Sequence, residues 1–253
     1  MTKKLEIAEK MDSFFSKIVS IGLDFHIAAI TTNTDDPAHL GNIIGSPSVL
    51  DRETWDLQTA FSQLIQPSPI SAEANKSFDA LTRALSFEKL SKENKNFLRE
   101  EALLVIIVVS DKADESLTAS VEVQEVLDRM KPAGSKQGWI LHSIVPDIEG
   151  CGKSIANHTI LLSQITEGAS PSYCDPTEMA LREIRDLSLR VATELPLSLS
   201  IDHTKIEVSV NDTLVPKSSI NGWDYYEKNH SIRFYGSAIP ATDTIIKIIE
   251  PIR

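Results

Sequence analysis

Long apolar runs are missing from this chain. No stretch of about 18 uninterrupted apolar residues occurs, so no segment is expected to cross a membrane as a helix. The amino terminus, MTKKLEIAEKMDSFF, has a lysine pair but no continuous apolar core, and does not read as a signal peptide. Cysteine is scarce: Cys151 and Cys174 are the two in 253 residues. That excludes a disulfide-built scaffold and a zinc site of the usual Cys/His spacing; it leaves open two free thiols or one disulfide. Positive charge is in deficit, with 25 Lys+Arg against 36 Asp+Glu and a formal net charge of -11. Nucleic acid and anionic membrane surfaces are therefore not expected partners, because both are held by Lys and Arg. The acidic excess suits solubility, a divalent cation or a basic partner.

Catalytic motifs are also lacking. There is no G-x-S-x-G, and none of the six histidines (His26, His39, His142, His158, His203, His230) pairs with Cys or Asp in a local catalytic pattern. The CGKS at 151–154 ends like a phosphate-binding loop, but position 147 is Asp where that loop needs Gly.

What is present is ordinary globular patterning, 42% apolar and 24% charged. Leu5, Ala8, Met11, Phe15 and Ile18 recur at helical spacing and predict a helix over 4–20. Residues 25–32, FHIAAITT, predict a buried strand, and 33–52 a long loop. Helices are expected over 54–65 and 73–87. The clearest element is ALLVIIVV at 102–109: eight apolar residues bounded by charge, the mark of a strand covered on both faces. A helix over 118–131, a strand over 138–145 (GWILHSIV) and a helix over 153–167 follow. A last helix begins near Asp175, with Asp at the cap, Pro176 in the first turn and Glu178 three residues on. Strands alternating with helices imply a parallel sheet between helical layers. From about 194 the period changes to two: LSLSI, KIEVSV, WDYY, SIRFY and TIIKIIE predict a small antiparallel unit. Trp139, Trp223, Tyr225 and Tyr226 are read as packing residues, with a contact face built by WDYY as the alternative.

The order of these blocks resembles a group of von Willebrand factor A-type (vWA) proteins of Gram-negative bacteria, many of them exported or lipid-anchored. GLDFHIAAITTNT resembles the family's second strand. NKNFLREEALLVIIVVSDKADES resembles its fourth strand and the acidic loop after it. The region from Cys151 to Cys174, with ITEGASPSYC, resembles a segment that often carries a cysteine pair, and NGWDYYEKNHSIRFYGSAIP an appended β unit. The resemblance implies an α/β fold, a Rossmann-like three-layer sandwich with a mostly parallel sheet over 1–193, and a β-rich extension over 194–253. It also implies that the family's first strand, with its D-x-S-x-S loop, is absent. That absence would leave VIIVV with an open edge. A start set too late at an internal Met is the favoured explanation; a strand from another chain, or closure of the gap by the remaining strands, are the others.

In that family a divalent cation sits at the carboxyl edge of the sheet, and Mg2+ (or Mn2+ or Ca2+) would want oxygen ligands there. Only Asp111 matches the Asp after the fourth strand, with Ser71 as a candidate hydroxyl ligand, so an incomplete metal site is expected. Asp114, Ser116 and Thr118 spell D-x-S-x-T, but Asp114 lies five residues past Val109, and these residues are expected to cap the following helix. Cys151 and Cys174 flank a segment that can run out and back, so a disulfide is expected, about 3 kcal/mol in the chain-entropy model. A disulfide would place the protein in the periplasm or at the cell surface, and free thiols in the cytoplasm. The expected function is non-enzymatic, adhesion-type binding of a protein or surface ligand, metal-ion-dependent in the intact parent, where the bound cation captures the ligand's acidic group, with the metal site incomplete here. The rivals are a metal-independent envelope scaffold and an α/β enzyme.

Overall fold

A computed structural model describes residues 3–20, 23–32, 34, 39–65, 75–99, 102–131, 138–198, 200–227, 230–240 and 245–249. At its centre two strands, β1 (Leu104–Val109) and β2 (Trp139–Ile144), pair in parallel from Leu104↔Trp139 to Val109↔Ile144. Runs of β-branched and aromatic residues favour the pleated surface that this pairing needs. Every residue of β2 is buried. Beyond it, residues 166–173 lie alongside. The Ser143 amide donates to Ala169 O at 3.0 Å, and Val145 and Ser172 form a parallel bridge. Glycine is required at 168, where a Cβ would stand 1.9 Å from Leu141 O.

Eight helices described here surround the pair: α1 (Lys3–Lys10), α2 (Asp12–Ser20), α3 (Leu57–Leu64), α4 (Ser77–Ala84), α5 (Phe87–Ser91), α6 (Ser120–Met130), α7 (Asn157–Ile165) and α8 (Thr177–Thr193). Alternation along the strands divides the core. One set, Leu104, Val108, Trp139 and Leu141, packs with Phe78, Val123, Leu127 and Leu162 of α4, α6 and α7. The other set includes Val109 and Ile144. It packs with Met11, at the break between α1 and α2, and with Phe15, Phe61, Leu181 and Ile184 of α2, α3 and α8. Completely buried Ile140, Leu141 and Ile144 each contribute about 1.5–3 kcal/mol relative to an exposed side chain.

The expected mostly parallel, Rossmann-like sandwich is not what the chain forms. Among the described residues the parallel ladder has two strands, and helix takes 37% against 19% strand. The reason lies partly in 25–32, which builds no ladder. Its odd residues bond to the loop after it, Ile27 exchanging bonds with Leu50 and Ala29 O accepting from Ile44 N. An apolar run bounded by polar residues signals burial, and burial here came without strand pairing. Most of the remaining strand is antiparallel. After α8, β3 (Glu194–Pro196) joins β7 (Ser231–Tyr235) and β6 (Gly222–Tyr226) in the order β3-β7-β6. Then β5 (Thr213–Val215), β4 (Glu207–Val210) and β8 (Ile246–Ile249) form β5-β4-β8. The β4–β5 turn uses Asn211 and Asp212, both at positive φ (48° and 62°), as a two-residue hairpin turn demands. Trp223, Ile232, Phe234 and Val208 form this unit's core. Glu194 lies opposite Arg233 and accepts its Nε–H at 2.8 Å. The described residues of LSLSI, 197–198 and 200–201, form no strand, and Thr213–Val215 is a strand that the period-two segments do not include.

Helix boundaries differ for similar reasons. The expected helix over 4–20 breaks at Met11 into α1 and α2, and the one over 73–87 is α4 followed by α5, with 73–74 outside the described residues. Asp175 does not cap α8. Its carboxylate accepts from Ser172 N at 2.9 Å, and Pro176 holds the cap position without a side-chain bond.

His142 sits fully buried on β2. Nδ1 accepts from Ala169 N at 2.9 Å, which leaves the proton on Nε2, 3.0 Å from Ser188 Oγ in α8. Burial pushes the imidazole down from 6.5 to about 4. The unfolded chain therefore takes up a proton near pH 6.5 that the folded chain refuses until about pH 4. His142 supports the fold above pH 6.5, and its contribution falls by about 1.4 kcal/mol per unit, about 3 kcal/mol in all, as pH drops towards 4. Urea titrations at pH 7 and pH 4 measure it. His142→Gln keeps an acceptor and a donor but does not titrate, and it is expected to lose correspondingly less stability over that interval.

Candidate functional site

In open sheets of parallel strands, ligands bind outside the carboxyl ends. Here that end is built from the loops after β1, after β2 and before α8. The first loop is tied down residue by residue. Ser110 Oγ donates to Lys112 O at 2.9 Å, and Asn75 Nδ2 donates to Lys112 O and Ala113 O at 3.2 and 3.3 Å. Ala113 N donates to Ser154 Oγ at 3.0 Å, and Glu115 N to Asn75 O at 2.6 Å.

Asp114, Ser116 and Thr118 do not cap the helix that follows them. Phe78 N donates to Asp114 Oδ2 (3.2 Å) and Ser116 Oγ (3.1 Å), and Asp79 N to Ser116 Oγ (3.0 Å), so they satisfy the start of α4, whose own cap Lys76 supplies no side-chain bond. The exchange is reciprocal. Asp79 accepts from Leu117 N (3.2 Å), Thr118 N (2.9 Å) and Thr118 Oγ1 (2.6 Å). Burial raises the Asp79 pKa, but the Thr118 hydroxyl and the two amides outweigh it and hold the carboxyl below its usual range. A spacing rule points to the nearest helix in sequence; the fold presented another one, with the same orphan amides.

Asp111, the expected metal ligand, forms an ion pair with Lys153 at 2.8 Å. Lys153 N also donates to Asp111 O at 2.6 Å. This approach needs Gly152, at φ +88°, where a Cβ would lie 2.5 Å from Asp111 O. The hydrogen bond that the Lys153 ammonium donates to Asp111, then the Asp111 charge, raises the Lys153 pKa. Burial, followed by the Asp111 charge, raises that of Tyr173. The other expected ligand, Ser71, lies outside the described residues. Among the described residues no group of three or more His, Cys, Asp or Glu is placed to hold a metal ion. A carboxylate already neutralised by an ammonium group does not fit Mg2+, Mn2+ or Ca2+, which want several unpaired oxygens.

Cys151 and Cys174 form a disulfide, which clamps the loop after β2 to the loop before α8. Ser172 sits at the clamp: its Oγ donates to Asp147 Oδ1 at 2.5 Å and accepts from Cys174 N at 3.3 Å.

Beside this rim lies a groove of about 520 Å³, lined among others by Leu40, Lys76, Thr82, Arg83, Leu117 and Thr118. Two cations, Lys76 and Arg83, and one carboxylate, Asp79, line it, and Arg83 pairs with Glu88 at 3.1 Å. Leu117, in its lining, is 95% exposed, and Phe87, which follows the lining residue Ser86 in sequence, is 88% exposed. Little in the sequence marks this groove. Its one legible signal is Leu117, a lone apolar residue in a polar loop; Lys76 and Arg83 look like ordinary solvated helix positions.

No family model matches this chain, and no curated protein matches it.

The disulfide closes a loop with a sequence separation of 23, for which chain entropy gives about 3 kcal/mol. Replacing Cys151 and Cys174 together by alanine is expected to lower the melting temperature by about 10 °C, and reductant is expected to have the same effect on the native chain and none on the variant.

Proposed function

We propose that the chain is a non-enzymatic protein-binding module that recognises an acidic, apolar-tipped segment of its partner. The observation that carries the reading is the groove beside the carboxyl end of β1, with Lys76, Asp79 and Arg83 in its wall, Leu117 exposed in its lining and Phe87 exposed next in sequence to its Ser86. Exposed apolar anchors beside Arg are the composition of protein interfaces. The sequence blocks that resemble adhesion-type vWA proteins support the same class of activity. In this reading the partner's acidic group takes the place of Glu88 at Arg83 and lies near Lys76, with no bridging metal ion. Cross-tied loops hold the surface in place before binding, so little ordering entropy is lost. The disulfide supports an oxidising compartment, and the periplasm or the cell surface is proposed on that ground.

The probe is a labelled synthetic peptide of four glutamates followed by leucine and phenylalanine. It is expected to bind the native chain saturably, more weakly as salt rises, because the cations are near the surface. Arg83→Glu and Leu117→Asp are each expected to weaken it about tenfold, a loss of about 1.4 kcal/mol. Unchanged affinity in both variants, or no saturable binding to the native chain, contradicts the proposal.

A further inference from the structure

The two halves of the disulfide meet different surroundings. Cys151 is 2% exposed, whereas Cys174 lies in the exposed turn before α8 and is itself exposed. Thiol–disulfide exchange begins when a thiolate attacks one sulfur in line with the bond and the other sulfur leaves. Access therefore assigns the roles: Cys174 takes the attack and Cys151 is released.

The released sulfur has a partner in place. Cys151 Sγ lies 3.3 Å from Ser172 Oγ, whose own proton is given to Asp147. Once it has left as a thiolate and taken a proton from water, Cys151 can donate its S–H to that oxygen.

Opening the bond does not part the two sulfurs, because each loop is also tied down by hydrogen bonds. On the Cys151 side Lys153 N donates to Asp111 O at 2.6 Å and Ala156 N to Pro146 O at 2.9 Å. On the Cys174 side Tyr173 N donates to Val145 O at 2.9 Å, and Lys3 Nζ to Asp175 O at 2.9 Å. The freed thiols stay neighbours, so closure remains an intramolecular step at high effective concentration.

Charge narrows the choice of incoming thiol. Asp147 and Asp175 both bond Ser172 beside the disulfide, and Glu149 and Glu178 are exposed close by in sequence. Lys153 and Lys3, on the same rim, already pair with Asp111 and Glu6. A thiolate that carries further negative charge is repelled from such a rim, and one flanked by cations is drawn to it.

We infer that Cys151–Cys174 is an exchangeable disulfide that takes a thiol on a basic segment, with Cys174 forming the mixed disulfide and Cys151 as the leaving and resolving thiol. In the first step the incoming sulfur bonds to Cys174 Sγ, the Cys151–Cys174 bond breaks, and Cys151 keeps the electron pair and then takes a proton. A second thiol attacks the outer sulfur of the mixed disulfide, so two thiols leave as one disulfide and both cysteines are reduced. Where no second thiol arrives, the Cys151 thiolate attacks Cys174, expels the first thiol and restores the bond.

The test uses the full oxidised chain at neutral pH and an acetylated, amidated tripeptide, lysine–cysteine–lysine, with iodoacetamide as the quench and mass spectrometry to map the products. The first product is expected to carry the tripeptide on Cys174 and the alkyl group on Cys151, in about tenfold excess over the reverse arrangement. Its rate is expected to stay level in low urea, as reaction of the folded chain requires. Raising salt is expected to slow this peptide about threefold and to speed its glutamate–cysteine–glutamate counterpart. With the tripeptide's own disulfide as reagent, Cys151→Ser is expected to react about a hundredfold faster than Cys174→Ser, since only the first leaves an exposed thiol. The inference is overturned by any of four results: no mixed disulfide or one shared evenly between the cysteines, a rate that climbs with urea in step with unfolding, the same salt response for both peptides, or equal rates for the two variants.

Discussion

Parallel pairing of β1 with β2 is the constraint on which the larger part of this molecule depends. A parallel strand has to be covered on both faces, because its connections carry helices to each side. Here the two helical groups are packed on opposite faces of a single pair, one around Phe78, Val123 and Leu127, the other around Phe15, Phe61 and Ile184. The cover is uneven. β2 is buried along its whole length and gains a further neighbour at 166–173, while β1 is half-buried and has one edge without a ladder among the described residues. The fold is closed on one side of its centre and open on the other.

The same pair sets where the loops go. Everything at the carboxyl end is fixed by exchange between loops and helix starts: Asp79 for the 116–118 amides, Asp114 and Ser116 for those of α4, Asn75 for the carbonyls after β1. Each such bond is worth about 1 kcal/mol net, more where a carboxylate takes part. Their joint effect is a rim that keeps its shape while presenting Asp111, Lys153, Leu117 and the two cations of the groove. A surface of that kind is suited to recognition. Its one strongly perturbed buried base, His142, lies behind α8 and bonds Ser188 and Ala169, which makes it part of the core.

How much of this could be read from the residues varies with the kind of signal. The unbroken LVIIVV and the WILHSI run identify β1 and β2 because two-sided burial leaves a continuous apolar string. Apolar stripes mark α6 and α8, and helices are also expected at the places of α3 and α7, within a few residues at their ends. FHIAAITT misled because apolar continuity reports burial and says nothing of pairing, and its hydrogen bonds go to a loop. The parallel sheet was overestimated for that reason, and the antiparallel β5 was missed because TLV is short and largely exposed. At the site, the cysteine pairing followed from a segment that could turn back on itself. Asp111 was singled out by its place after a strand, but its partner Lys153 lies 42 positions away in a different loop and leaves no local mark. The trans-capping of α4 is invisible for the same reason.

Residue-resolved amide exchange on the free chain tests the central claim most directly. The account predicts alternation along β1: the amides of Leu104, Ile106 and Val108 exchange slowly, at close to the rate set by global unfolding, and those of Val105, Ile107 and Val109 at least a hundredfold faster. Uniform protection across all six would show that the second edge of β1 is already paired, and would contradict it.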